Sequence, residues 1–222
     1  MVDFGNGRGI HTYDGSEWTK LCGWDSVNAM AGWNDGTNDY LIVDFGCGKG
    51  TYSYNGTTWS KMTSWDDTIH LTAYNNGTDD ILAVDFGNNR GTYTYDGTWT
   101  KITGWDTAEN MIACGEKLAV DFGSGRGLFY YDGTWNKLTT WDTANDMTEW
   151  DDGFTETLVV DFANGSGLKS YDGGWNTLTN WDNTLEMEGA GTDLYVDFGP
   201  GTGVYRYDGS TWTKINTWST GD

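Results

Sequence analysis

Apolar and polar positions alternate with a period of two in short runs along the whole chain, and none follows the 3.6-residue spacing of a helix. In one such run Leu118, Val120 and Phe122 fall on one face, Ala119 and Asp121 on the other. Turn signals bound each run, so the chain reads as strand, turn, strand. Cys114-Gly115-Glu116-Lys117 is hairpin-sized. Gly123-Ser124-Gly125-Arg126-Gly127 is a glycine-rich turn, and Asp132-Gly133 is a favoured hairpin dipeptide.

These elements repeat. Val-Asp-Phe recurs with its aspartate at Asp3, Asp44, Asp85, Asp121, Asp161 and Asp197, in steps of 41, 41, 36, 40 and 36 residues. Tyr-Asp-Gly follows at Tyr13, Tyr54 (with Asn55 for the aspartate), Tyr95, Tyr131, Tyr171 and Tyr207. A tryptophan comes next at Trp18, Trp59, Trp99, Trp135, Trp175 and Trp212. A second closes the unit at Trp24, Trp65, Trp105, Trp141, Trp181 and Trp218, so twelve of the fourteen tryptophans occupy two repeated positions. A first strand carries Met30, Leu71, Met111, Met147 or Met187, and the fourth is expected to run from Trp135 to Trp141 in its unit.

Four antiparallel strands in each 36–41-residue repeat predict an all-β, six-bladed β-propeller of four-stranded blades. The repeat units are approximately 1–25, 26–66, 67–106, 107–142, 143–182 and 183–222 of a single propeller domain. The first unit starts at its second strand, which leaves 23 strands and one blade short of a strand. An unpaired edge there invites self-association through the incomplete first blade.

Charge narrows the partners. Thirty-three acidic residues against twelve basic ones give a formal net charge of −21, which repels nucleic acid and anionic membrane surfaces. No stretch approaches the roughly 18 apolar residues of a membrane helix, so membrane insertion is not expected. Cys22, Cys47 and Cys114 are odd in number and stand in unlike contexts, without a disulfide framework or zinc spacing. Free thiols point to an intracellular compartment. Few lysines and much Trp, Asn, Thr and Gly point outside the cell, a surface location if the chain belongs to a longer secreted protein.

At these motifs the chain resembles the highly repetitive bacterial β-propellers, whose near-identical blades suggest amplification of one unit. Thr12-Tyr13-Asp14-Gly15-Ser16-Glu17-Trp18 resembles an Asp-box hairpin, one residue shorter than the Ser/Thr-x-Asp-x-Gly-x-x-Trp pattern. Asp-Gly-x-x-Trp is likewise similar to blades of fucose-binding and tachylectin-like lectins. The resemblance implies a propeller fold and carbohydrate recognition.

Each repeated chemistry has a structural alternative. The turn acids Asp14, Asp96, Asp132, Asp172 and Asp208 are expected to bond their own turn backbone. The Val-Asp-Phe aspartates are read as hydrogen-bond ties between blades. Calcium, the alternative, needs about six to eight clustered oxygens, so no cofactor is expected. The Gly-x-Gly-x-Gly turn precedes no helix and lacks Lys-Ser/Thr, which excludes a phosphate loop and leaves an exposed hairpin tip. Trp18 and its equivalents read as blade anchors. Trp24, Trp65, Trp105, Trp141 and Trp181, each followed by an aspartate (Asp25, Asp66, Asp106, Asp142, Asp182), either pack between blades or offer a face to a sugar. The sixth pair, Trp218-Ser219, departs from the pattern.

Catalysis finds no constellation. His11 and His70 are not equivalent, and no carboxylate pair or arginine triad stands out. The expected function is therefore a non-enzymatic, multivalent module binding a neutral glycan through lectin-like sites. The alternative is a protein ligand or a purely architectural propeller, part of a larger chain.

Overall fold

The computed structural model describes residues 1–5, 7–24, 26–105, 108–123, 125–141, 144–162, 165–181 and 184–216. Among them are 23 strands and no helix, arranged as six antiparallel sheets. Blade 1 holds β1 (Val2–Asp3), β2 (Ile10–Tyr13) and β3 (Trp18–Lys20). Blade 2 holds β4 (Val27–Asn34), β5 (Asp39–Phe45), β6 (Gly50–Tyr54) and β7 (Trp59–Thr63), and blade 3 β8 (Thr68–Asn75), β9 (Asp80–Phe86), β10 (Gly91–Tyr95) and β11 (Trp99–Thr103). Blade 4 comprises β12 (Asn110–Cys114), β13 (Lys117–Asp121), β14 (Leu128–Tyr131) and β15 (Trp135–Thr139). Blade 5 comprises β16 (Ala144–Asp151), β17 (Glu156–Phe162), β18 (Gly167–Tyr171) and β19 (Trp175–Thr179). Blade 6 comprises β20 (Glu186–Ala190), β21 (Asp193–Asp197), β22 (Val204–Tyr207) and β23 (Trp212–Asn216). Each strand pairs with its neighbours in chain order, and the first sheet has three strands instead of four.

The chain divides into two compact units, residues 1–73 with 79–106 and residues 107–222 with 74–78. Inside each, the core lies between successive sheets. In the first unit Ile10 and Leu21 of blade 1 pack on Leu41, Val43 and Phe45 of blade 2, and Ile42 packs on Leu82, Val84 and Phe86 of blade 3. In the second, Ala119 and Leu128 meet Leu158, Val160 and Phe162, and Val159 and Leu168 meet Leu194 and Val196. The second strand thus buries both faces, its odd and even residues against opposite neighbours. Its near-continuous apolar run, Leu-Val-Val in β17, follows from that.

Each blade is locked at its outer hairpin. Tyr54 lies opposite Trp59, Tyr171 opposite Trp175 and Tyr207 opposite Trp212, with ring centroids 4.8, 5.0 and 4.8 Å apart. Facing aromatic pairs of this kind stabilise a strand pair beyond the area they bury. The anchor also reaches backward: Trp175 Nε1 donates to the carbonyl of Leu138 at 3.3 Å, and Trp212 Nε1 to that of Leu178 at 3.2 Å. The two tryptophans outside the repeated positions reach forward from first strands. Trp33 donates to the Asp80 carbonyl at 2.8 Å and Trp150 to the Thr192 carbonyl at 3.1 Å.

Two expectations need correcting. The fourth strand of blade 4 ends at Thr139, and Trp141 lies beyond it, at the mouth of the connection. The glycine-rich turn is more than an exposed tip. Its last glycine is buried, and Gly167 has a φ of +73°, where a Cβ would fall onto the carbonyl oxygen of Thr179. Only glycine lets the third strand approach the fourth this closely. The register between them shifts at the same place, between Leu168 and Lys169.

Candidate functional site

The closing tryptophans are positioned by a short local motif. Two residues before four of them stands a threonine whose hydroxyl accepts the tryptophan N–H: Thr63 for Trp65 at 3.2 Å, Thr103 for Trp105 at 3.1 Å, Thr139 for Trp141 at 3.0 Å and Thr179 for Trp181 at 3.2 Å; before Trp24 the place is taken by Cys22. This bond ends the fourth strand and turns the ring toward the next blade. Thr51 Oγ1 donates to the Trp65 carbonyl and Thr92 Oγ1 to that of Trp105, both at 3.2 Å, fixing the backbone from the other side.

The rings land on the next blade's Val-Asp-Phe phenylalanine. Trp24 meets Phe45 at 5.2 Å, Trp65 meets Phe86 at 5.1 Å, Trp141 meets Phe162 at 5.1 Å and Trp181 meets Phe198 at 5.3 Å, all near perpendicular. Tyr52, Tyr93 and Tyr205 contact Trp24, Trp65 and Trp181 from the third strand. This is interblade packing, and it is incomplete. Trp24, Trp141 and Trp181 keep 40, 44 and 43% of their surface in solvent, against 5–8% for Trp150 and Trp33. The tryptophans therefore pack and remain presented at once.

Of the adjacent aspartates, Asp66 accepts a hydrogen bond from the Gly48 N–H and so braces the glycine-rich turn of its own blade. Asp25, Asp106, Asp142 and Asp182 lie outside the described residues, as does Trp218.

Cations stand beside these rings, a feature sequence reasoning missed. Lys61 sits over Tyr52 at 5.7 Å, Lys101 over Tyr93 at 5.7 Å and Lys214 over Tyr205 at 5.6 Å. In blade 5 the lysine moves to the third strand, and Lys169 covers Trp141 at 5.8 Å. The signal was present: a lysine two residues after the hairpin tryptophan in every unit but that one, where Thr177 stands. At the junction of blades 2 and 3, Arg90 lies over Trp65 at 5.6 Å and pairs with Asp67 at 2.7 Å. That hydrogen bond holds the Asp67 carboxyl below the usual carboxylate range.

The Val-Asp-Phe aspartates join blades. Asp44 Oδ2 accepts from the Thr68 N–H at 2.8 Å, Asp121 Oδ2 from the Ala144 N–H at 3.1 Å, and Asp161 Oδ2 from the Thr184 N–H at 2.8 Å. Each donor opens the following blade. All three carboxylates are fully buried, and burial raises the Asp44 pKa although the Thr68 bonds oppose it. Among the described residues no group of three or more His, Cys, Asp or Glu is placed to hold a metal.

The turn acids act on their own backbone, with one exception. Asp14 Oδ1 accepts from the Ser16 and Glu17 N–H groups at 2.8 Å each, and these bonds, with the Ser16 hydroxyl, lower its pKa to about 2. Asn55, Asp96, Asp132 and Asp208 behave likewise. Burial pushes the Cys114 thiol up to about 11, and its sulfur lies 3.3 Å from the Tyr130 hydroxyl. A thiol of that kind stays protonated near neutrality.

Six successive sheets of this pattern define a β-propeller. No family model and no curated protein matches the chain. Among solved structures it is similar to BBS1N, a β-propeller crystallised in complex with ARL6DN, with a TM-score of 0.60 at 13% identity. The match covers 90% of this chain and 69% of that one. At that identity the likeness is one of fold.

Proposed function

We propose that this propeller is a non-enzymatic, multivalent binding module whose junction tryptophans take neutral sugars. The observation that carries the reading is the residual exposure of Trp24, Trp141 and Trp181, held rigid at one edge yet 40–44% open. A fixed indole face suits the C–H surface of a pyranose. Lysines and Arg90 beside the rings supply donors for sugar hydroxyls, and the aspartates that follow five of the tryptophans in sequence are acceptors by residue type. Repetition then sums weak sites through effective concentration. Binding needs no metal in this scheme and survives chelation.

A second reading is a protein ligand. It is favoured by the crystal structure of BBS1N with ARL6DN, which shows a propeller of the same fold in a complex with another protein. A glycan array read alongside a protein pull-down separates the two. Signals on neutral glycans that vanish for the Trp141→Ala and Trp181→Ala double variant support the sugar reading. A silent array with a specific protein captured supports the second.

A further inference from the structure

Blades 4 and 5, both in the second unit, flank a half-open cavity of about 330 Å³ at the hairpin ends of their strands. Its place is the opposite end of β15 and β19 from Trp141 and Trp181, so it is separate from the tryptophan junctions. The volume is at the small end of the range for ligand sites, roughly 300–1,000 Å³.

Blade 4 departs from its repeats at two residues that line this cavity, Lys117 and Tyr130. Lys117 opens the second strand at the register position that the other complete blades fill with Tyr40, Ile81, Thr157 and Asp193, none of them a cation. Tyr130 stands where they carry Ser53, Thr94, Ser170 and Arg206. Tyr130 is 8% exposed and bonded to Cys114, and its ring meets that of Tyr171 at 5.8 Å, so two aromatic rings form a fixed wall. A position that changes in one blade of a repeat while the frame stays constant marks a specialised surface.

Three charged groups line this cavity without a hydrogen bond or ion pair among the described residues. Lys117 has only the Tyr130 ring beneath its ammonium, at 5.4 Å. Glu156, on the facing blade, is likewise unpaired. Asp172 is the exception among the turn acids: its backbone N–H meets the Gly174 carbonyl at 3.4 Å, while its carboxylate is bonded to nothing described. Charges of both signs thus share one small cavity and do not neutralise each other.

We infer that this cavity binds a small zwitterion carrying a carboxylate and a primary ammonium, as a free amino acid does. The carboxylate meets Lys117, the ammonium meets Glu156 and Asp172, and an apolar side chain lies against Tyr171 and Leu138. A ligand with both charges completes pairs that the protein leaves open, and charge-assisted hydrogen bonds are the stronger kind. A neutral polyol or a simple cation satisfies only one sign.

Calorimetric titration of the whole chain with L-phenylalanine, N-acetyl-L-phenylalanine and phenethylamine tests this. L-Phenylalanine is expected to bind at least ten-fold more tightly than either analogue. Lys117→Met should weaken L-phenylalanine at least ten-fold and leave phenethylamine unchanged or improved. Glu156→Gln with Asp172→Asn should reverse that pattern, weakening phenethylamine and sparing N-acetyl-L-phenylalanine. All three positions are exposed, so the variants are expected to fold, which thermal melting checks. Absence of L-phenylalanine binding overturns the proposal. So do equal affinities for the three ligands, or D-glucose binding that these variants abolish. Because none of these residues contacts a closing tryptophan, the outcome is independent of the glycan reading.

Discussion

Asp161 and Thr184 are joined twice across a blade boundary: one carboxylate oxygen accepts both the backbone N–H and the hydroxyl of Thr184, each at 2.8 Å. Asn145 adds a longer bond to the same oxygen at 3.4 Å and donates to the Thr184 carbonyl at 2.7 Å. The start of blade 6 is thus tied to the second strand of blade 5. Asp161→Ala removes the acceptor for two buried donors and is expected to destabilise by about 2–4 kcal/mol. Asp161→Asn keeps an acceptor and should lose clearly less. Urea unfolding of both variants measures the difference, and equal losses would contradict the tie.

The anchor tryptophans make a comparable claim on packing. Trp175 packs against Tyr171 with the ring planes tilted by 54°, meets Phe162 at 5.3 Å and donates to the Leu138 carbonyl at 3.3 Å. Trp175→Ala should cost about 3–5 kcal/mol, and Trp175→Phe should recover part of it without the backward hydrogen bond. Chemical denaturation provides both numbers.

Glycine substitutions should split by position. Gly167→Ala introduces a side chain at positive φ and onto the Thr179 carbonyl, for a loss of at least ~2 kcal/mol. Gly32→Ala, in a strand with open space around it, should stay within about 0.5 kcal/mol of the parent or gain stability. Thermal melts of the two single variants check the contrast.

Blade 5 also predicts a pH dependence. Burial raises the Asp146 pKa to about 6, against the opposing Met147 N–H bond, with Glu186 adding to the rise. Because the folded value lies above the unfolded one, protonation favours the native state. The stabilisation is complete below pH 3.8 and is lost as pH rises through about 6. Asp146→Asn should therefore be more stable than the parent at pH 7 by ~1–2 kcal/mol, after allowing for solvent screening. The gap should close by pH 4. Paired melts across that range decide it.

Much of this was legible in the residues. The spacing of Val-Asp-Phe, Tyr-Asp-Gly and two tryptophans predicted the 23 strands found among the described residues and the short first sheet, because hairpin turns and cross-strand aromatics are local devices. The interblade role of Asp44, Asp121 and Asp161 was legible from their alternation away from Val and Phe. What local pattern does not carry is how far the next unit of the repeat covers a side chain. Trp24 and its equivalents pack and stay exposed together because their burial depends on Phe45, Phe86, Phe162 and Phe198 of the following blade. The unpaired Lys117, Glu156 and Asp172 look like ordinary turn charges until two blades bring them to one cavity.

The central claim is that the closing tryptophans are a presented surface as well as a packing one. Tryptophan emission titrated with neutral monosaccharides and disaccharides tests it most directly. The account predicts a saturable change in emission with at least one sugar, lost in stages as Trp24, Trp141 and Trp181 are replaced by alanine while the fold persists. Acidic glycans should bind more weakly than neutral ones, more so at low salt, because of the −21 net charge. If no sugar perturbs the emission and the alanine variants lose only stability, these tryptophans are packing residues and the sugar reading is wrong.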